Sequence, residues 1–336
     1  MELGKFPAGM LERMLAKNRI TDPRVVLGPG VGEDAAAIDM GDRLLIAKSD
    51  PITFATDSIG WYAVQVNAND VACTGAKPMW FLATILVPES FSENEAEAVF
   101  DQVLEACTGL GVSLVGGHSE VTYGIDRPIV MGSMLGEVDR DRLVPTGGAQ
   151  EGDSVVVTKG IAIEGSALLA REKAQILKAQ GVPAGTIEQA SGFLTIPGIS
   201  VVHDARIAID SVEVHSLHDV TEGGIATGLR EVAAASGLGV AVEEDSIPVL
   251  PECREICTAL GLNPLGLLAS GAMLVTLPAI DVPRLLSALE SEGIDAYEIG
   301  QILAPEEGLQ MIGRDGEVPL PEFPRDELAR YFSENR

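Results

Sequence analysis

Several oxygen-rich side chains in the first third of the chain stand beside glycines or at the ends of apolar runs. Asp34 closes the stretch Leu27-Gly28-Pro29-Gly30-Val31-Gly32-Glu33, and Asp50 follows the apolar run Leu44–Ala47 together with Lys48 and Ser49. Asn67 and Asp70 are spaced to share a helix face, and His118 and Glu120 follow Gly116-Gly117. Magnesium is a hard cation that takes one or two carboxylates plus phosphate oxygens and water. Glycine turns and helix N-termini present backbone N–H groups to nucleotide phosphates. The N-terminal half supplies both kinds of group, with Asp34, Asp50 and Asp70 as the candidate metal ligands. Each residue also has a plainer reading. Asp34 serves equally as a turn cap and Asp50, before Pro51, as a turn residue. Asn67 and Asp70 suit a solvated helix face, His118 a structural role, and Lys48 and Lys159 solvated positions as readily as phosphate contacts. What joins them is the recurrence of acidic and amide residues at turn or helix positions next to glycine.

The elements that must carry these residues alternate. Helices are expected over Pro7–Asn18, Ile59–Thr74, Ser92 to about Thr108, Ile161–Lys178, Ile225–Ala235 and Pro283–Glu290. Ser92 and Glu95 form a capping-box pattern. Strands are expected over Leu44–Ala47, Trp80–Val87, Val112–Val115, Ile129–Val138, Ser154–Thr158, Met273–Leu277 and Tyr297–Leu303. Gly116–Glu120 and Leu217–Gly224 read as polar, glycine-containing turns, and the last twelve residues as a charged tail prone to fray. The alternation makes each half a mixed α/β layer domain. The boundary is placed at Val144-Pro145-Thr146-Gly147-Gly148, giving domains 1–148 and 149–336.

A chain of 336 residues exceeds one ordinary core, which agrees with two domains. With aromatics at 4%, packing must rest on Val, Ile, Leu and Ala. The formal net charge of −27 repels nucleic acid and anionic lipid, so neither is expected as a partner. Most of the carboxylates serve solubility. Cys73, Cys107, Cys253 and Cys257 form no CxxC pair and read as buried thiols in a reducing compartment. Charged residues interrupt the N-terminal apolar stretch, and no apolar run reaches membrane-spanning length, so a cytoplasmic protein is expected.

Gly32-Glu33-Asp34-Ala35-Ala36 resembles the GDDAA motif of a superfamily of ATP-using enzymes. Its members include aminoimidazole ribonucleotide (AIR) synthetase, thiamine-monophosphate kinase, selenophosphate synthetase and the hydrogenase-maturation protein HypE. The stretch from Ile59 through Asn67 and Asp70 to Gly75-Ala76-Lys77-Pro78 is similar to the same enzymes' helix, with its N-x-x-D and G-A-x-P pattern. His218-Asp219-Val220-Thr221-Glu222-Gly223-Gly224 resembles the HypE pattern H-D-P-T-R-G-G, and Ile247-Pro248-Val249 and Leu260–Leu265 look HypE-like. The resemblance covers nearly the whole chain.

It implies an α/β (α+β) protein of two mixed domains, with the N-terminal domain forming a β-barrel across a homodimer. It also implies Mg2+ and ATP as cofactors, and phosphorylation of an acceptor oxygen. On this resemblance Asp34, Asp50 and Asp70 hold the metal. Asp50, Asp70, His118, Glu120 and Asp219 serve the chemistry. Gly30, Gly32, Lys48, Asn67, Gly116, Gly117, Thr221, Gly223 and Gly224 bind the nucleotide. The acceptor stays open: a small molecule, as in thiamine-monophosphate kinase, or a protein, and a non-catalytic ATP-binding partner is the other class.

Three departures bear on the chemistry. The chain lacks the terminal cysteine of HypE, so action on its own tail is not expected. His118 stands where the superfamily's kinases and HypE carry an acid, so Glu120 replaces that carboxylate or fewer metals bind. Glu222 replaces an arginine, which argues for a different acceptor.

Overall fold

The computed structural model describes residues 5–6, 8–30, 32–53, 55, 57–314 and 316–335. Pro7, the expected start of the first helix, and Val31 of the glycine-rich stretch lie outside them. In chain order the elements begin with α1 (Ala8–Leu15), β1 (Val25–Leu27), β2 (Ala36–Asp39) and β3 (Leu44–Ile52). They continue through α2 (Ile59–Cys73), β4 (Lys77–Val87), α3 (Glu93–Leu110), β5 (Ser113–Val121) and β6 (Ile129–Val138). Then come β7 (Ser154–Thr158), α4 (Ile163–Glu172), α5 (Ala174–Ala179), α6 (Ala184–Ser191), α7 (Val202–Ser211) and β8 (Ser216–Asp219). Next are α8 (Gly224–Ser236), β9 (Gly239–Glu243), α9 (Pro251–Leu260), β10 (Met273–Leu277) and α10 (Val282–Ser291). The chain closes with β11 (Ala296–Leu303), β12 (Leu309–Gly313), β13 (Gly316–Pro319) and α11 (Glu327–Glu334).

The chain divides into two compact units. The N-terminal unit comprises Ile20–Gly28 and Asp34–Leu143. The C-terminal unit comprises Val144–Arg336 together with Met1–Arg19 and Pro29–Glu33. Gly30 and Gly32 therefore belong to one unit and Asp34 to the other.

The N-terminal unit is a six-stranded sheet in the order β1-β2-β3-β6-β4-β5. All neighbours are antiparallel except β4 and β5. Period-2 alternation sends Leu44, Ile46, Lys48 and Asp50 of β3 to one face, where α2 packs. Every residue of α2 is buried except Trp61, so it is a core helix rather than a half-solvated one. Two glycines make its close packing possible. A Cβ on Gly60 would meet the Val99 carbonyl of α3 at 2.4 Å, and one on Gly132 of β6 would meet Asn67 Nδ2 at 2.4 Å. The expected capping box forms: the Glu95 amide donates to Ser92 Oγ and the Ser92 amide to Glu95 Oε2.

Two further expectations for this unit change. β3 runs on to Ile52, so Asp50 lies within a strand, not at its end. Gly116–Glu120 is not a turn but the continuation of β5. An edge strand tolerates the glycine pair, and Gly117 (φ 147°) sits against the Ala83 carbonyl where no side chain fits.

The C-terminal unit is a seven-stranded sheet, β13-β12-β9-β11-β7-β10-β8. Its core is built from Val155, Val157, Ile225, Leu229, Val240, Val242, Leu274 and Ile299. The expected helix over Ile161–Lys178 is two helices, α4 and α5, parted at Lys173 (φ −116°). Leu217–Asp219 belongs to β8, and the turn is confined to Glu222 and Gly223, just before α8. The expected charged, fraying tail is instead largely a packed helix, α11. Asp326 caps α11, and Glu327, Leu328, Ala329 and Tyr331 are buried. All four cysteines are buried and stand outside any disulfide. Among the described residues no helix is long and apolar enough to cross a membrane.

Candidate functional site

β3 and α2 of the N-terminal unit bring Asp50 and Asp70 to one point, and a lysine stands there. Lys48 Nζ donates to Asp70 Oδ1 at 2.7 Å and lies 3.6 Å from Asp50 Oδ2. Burial disfavours the ammonium, but the fields of Asp70 and Asp50, the hydrogen bond to Asp70 and the charge of Asp34 outweigh it. The Lys48 pKa is accordingly held above its ordinary value. Asp34 is buried, and its carboxylate lies within 4.8 Å of the Cys73 thiol. Cys73 is one turn beyond Asp70 on α2. The three carboxylates therefore gather around the same end of α2.

Backbone and amide contacts fix this arrangement. Asn67 Oδ1 accepts the Asp50 amide at 2.9 Å, while Asn67 Nδ2 donates to the carbonyls of Asp50 at 3.2 Å and Ala63 at 2.8 Å. Ser49 Oγ donates to the Gly132 carbonyl at 2.8 Å and accepts from Ser133 Oγ at 3.1 Å. The Asp70 side chain is 5% exposed and that of Asp50 is 40% exposed, so the cluster has a closed end and an open end. Asn67 and Asp70 are thus not a solvated helix face, nor is Lys48 a solvated lysine.

The donor set fits a divalent cation. It consists of hard carboxylate oxygens, and three carboxylates against one ammonium leave two negative charges uncompensated, the charge one magnesium ion carries. Asp34, Asp50 and Asp70 are the residues that could hold it.

His118 and Glu120 lie elsewhere in the unit. Asp50 pairs with Gly132, Gly132 with Ala83 and Ala83 with Gly117, so Asp50 and Gly117 share one row and one face. They are separated by three strand spacings, about 14 Å. His118 and Glu120 pair with Thr84 and Leu86 and project from the opposite face. There His118 Nε2 is 3.0 Å from Glu120 Oε2, and this hydrogen bond holds the Glu120 carboxyl below its ordinary range. Within one chain Glu120 therefore does not replace a carboxylate of the Lys48 cluster.

A second polar cluster occupies the C-terminal unit. Asp219 ends β8 and is buried. After it Thr221 Oγ1 accepts from Lys5 Nζ at 3.2 Å, and Glu222 pairs with the same ammonium at 3.2 Å. Partial burial opposes ionisation of Glu222, but Lys5 and hydrogen bonds keep its carboxyl below the usual value. His218 Nε2 lies 3.0 Å from Glu231 Oε2. Gly223 (φ 83°) and Gly224 (φ 63°) make a left-handed entry to α8 that only glycine takes without strain. The Gly223 amide is not open to a phosphate: it donates to Asp326 Oδ2 at 2.6 Å. Burial, with Glu222 nearby, pushes the Asp326 carboxyl up to about 7. Burial also pushes Glu164 up to about 8, against a hydrogen bond with Ser270. Lys159 is buried too, 3.1 Å from Asp204 and 2.6 Å from the Ser200 carbonyl, so it is neither solvated nor facing a phosphate.

Sequence reasoning missed Lys5, Glu164 and Asp326. Glu164 sits inside an apolar helical pattern, and the other two act on partners more than a hundred residues away.

The chain belongs to the AIR synthase related protein family. The family's N-terminal domain matches residues 32–138 and its C-terminal domain residues 150–311. A putative hydrogenase expression/formation protein of Methanocaldococcus jannaschii is 28% identical over 318 residues, 91% of this chain and 90% of that protein. Carbamoyl dehydratase HypE of Cupriavidus necator is 28% identical over 282 residues, 81% of this chain and 77% of that one. The crystal structure of the hydrogenase maturation protein HypE in complex with ATP matches with a TM-score of 0.69 at 22% identity. That match covers 98% of each chain and shows a shared fold.

Proposed function

We propose that the protein is an enzyme that binds Mg-ATP at the Asp34–Asp50–Asp70 cluster and phosphorylates an oxygen of an acceptor. The observation that carries this reading is the gathering of three carboxylates around one end of α2, with a net charge suited to a divalent ion. The solved HypE relative holds ATP on the same fold. When bound, magnesium would neutralise charge on the phosphoryl group in transfer. The chain's own residues supply the rest. Asn67 pins the Asp50 backbone through both its N–H and its carbonyl, so the half-open Asp50 carboxylate is pre-oriented. Asp70 sets the closed end, where water is scarce and charge acts at longer range. The cytoplasm suits a protein whose four cysteines are buried as thiols rather than joined in disulfides.

Isothermal titration of ATP into the protein at several magnesium concentrations tests the reading. Asp70→Asn is expected to weaken Mg-dependent ATP affinity at least about 10-fold while leaving the circular dichroism spectrum intact, because a metal ligand outweighs a surface charge. Unchanged affinity removes the site. Product analysis with candidate acceptors then divides the enzyme readings. Phosphate retained on the acceptor marks a kinase of the thiamine-monophosphate type, and phosphate released with loss of the acceptor's oxygen marks a HypE-like dehydration. Tight ATP binding with no ADP formed marks a non-catalytic partner.

We also propose that the chain pairs with a second copy through β5. This strand is a sheet edge whose side chains are largely exposed, Val115 and Val121 among them. An uncovered apolar edge invites pairing. Light scattering should give twice the chain mass, and a monomer mass would end the proposal.

A further inference from the structure

We infer that Lys48 is a tethered competitor for the divalent ion, which makes metal binding at the Asp50–Asp70 pair depend on nucleotide. The inference rests on the reading of that cluster as the metal and ATP site, and it adds a role for a residue that would otherwise be a simple phosphate contact.

Lys48 and Asp50 alternate onto the same face of β3, and Asp70 meets them from α2. The ammonium is in hydrogen-bond contact with Asp70 and within ion-pair distance of Asp50. It therefore occupies the space between the two carboxylates that a shared cation would need. Two cations cannot sit between the same two carboxylates at contact distance without strong repulsion. A divalent ion arriving alone must displace the ammonium from a site where burial has already removed most of its water. A nucleotide changes that balance, because its phosphates give the displaced ammonium a new anionic partner on a flexible four-carbon stem. Metal and nucleotide then bind with positive coupling, and by linkage each raises affinity for the other equally.

Mn2+ is the probe, followed by electron paramagnetic resonance of the free ion without any nucleotide. Wild type is expected to bind Mn2+ weakly. Lys48→Met should bind it at least about 10-fold more tightly, and Lys48→Arg should stay like wild type. Adding Asp70→Asn to Lys48→Met should abolish the gain, which ties it to this site. Thermal unfolding supplies a second readout: Lys48→Met should melt below wild type in chelator and recover with Mn2+, whereas wild type shifts little. Equal or weaker Mn2+ affinity in Lys48→Met overturns the inference, as does a gain that survives Asp70→Asn. The inference fails alone if wild type still binds Mg-ATP through Asp70. If wild type binds no Mg-ATP while Lys48→Met gains Mn2+, the proposed function fails and the competition stands.

Discussion

The two polar clusters use the same residue types to opposite ends. In the N-terminal unit Lys48 is mostly enclosed and in contact with Asp70, and the carboxylates around it hold its ammonium in the charged form. In the C-terminal unit the cation is Lys5, half exposed and paired with Glu222, while Glu164 and Asp326 are buried with no ammonium in contact among the described residues. Their carboxyls hold protons up to about 8 and about 7. A cation held in contact makes a buried polar cluster a charged site, whereas Glu164 and Asp326, buried away from one, hold protons. The first arrangement suits metal and phosphate. The second fastens α11 to the turn before α8 through Asp326.

The comparison breaks most visibly at Lys48. Lys48→Met leaves the enclosed Asp70 carboxylate without its ammonium, and it should cost about 3–5 kcal/mol in metal-free buffer, read from urea unfolding. A loss below about 1 kcal/mol would mean that the pair is no more than a surface contact.

Glu164 gives the next largest effect, with a sign that follows from its raised carboxyl. The folded state keeps the proton up to about pH 8, whereas the unfolded chain releases it near 4.5. The folded state thus binds more protons through that window, and stability falls as pH rises across it. The difference amounts to about 4 kcal/mol by pH 8 as an upper bound. Asp326, raised to about 7, acts in the same direction. Glu164→Gln should flatten this slope, so unfolding midpoints at pH 6 and pH 8.5 should differ less than in wild type. An unchanged slope would show that Glu164 ionises normally.

The smallest expected effect lies outside both clusters. Ser92→Ala removes the α3 cap and should cost about 1 kcal/mol at either pH, with no change in Mn2+ binding. A change in metal affinity would mean that the two ends of the N-terminal unit are coupled.

What could be read from the sequence was local. The capping box at Ser92 and Glu95, the α2 span and the pairing of Asn67 with Asp70 on one helix face all depend on neighbours within one or two turns. The candidate carboxylates were found because their types and settings are informative before folding. Misreadings came where long-range contacts decide. Gly116 and Gly117 look like a turn until β4 is placed beside them. Lys48 reads as readily as a solvated lysine until α2 brings Asp70 to it. The charged tail looks free until Asp326 finds the Gly223 amide from across the chain. Glu164 gives no sign of its protonation because its neighbours in sequence are those of an ordinary helix.

In the proposed function the carboxylates at residues 34, 50 and 70 surround a divalent ion carrying a triphosphate. A crystal structure with Mn2+ and a non-hydrolysable ATP analogue tests it most directly, through the anomalous signal of manganese. The expected map shows an ion coordinated by Asp50 and at least one of Asp34 and Asp70, with Lys48 turned toward a phosphate. A manganese site touching none of the three carboxylates, with Lys48 still on Asp70, would contradict it.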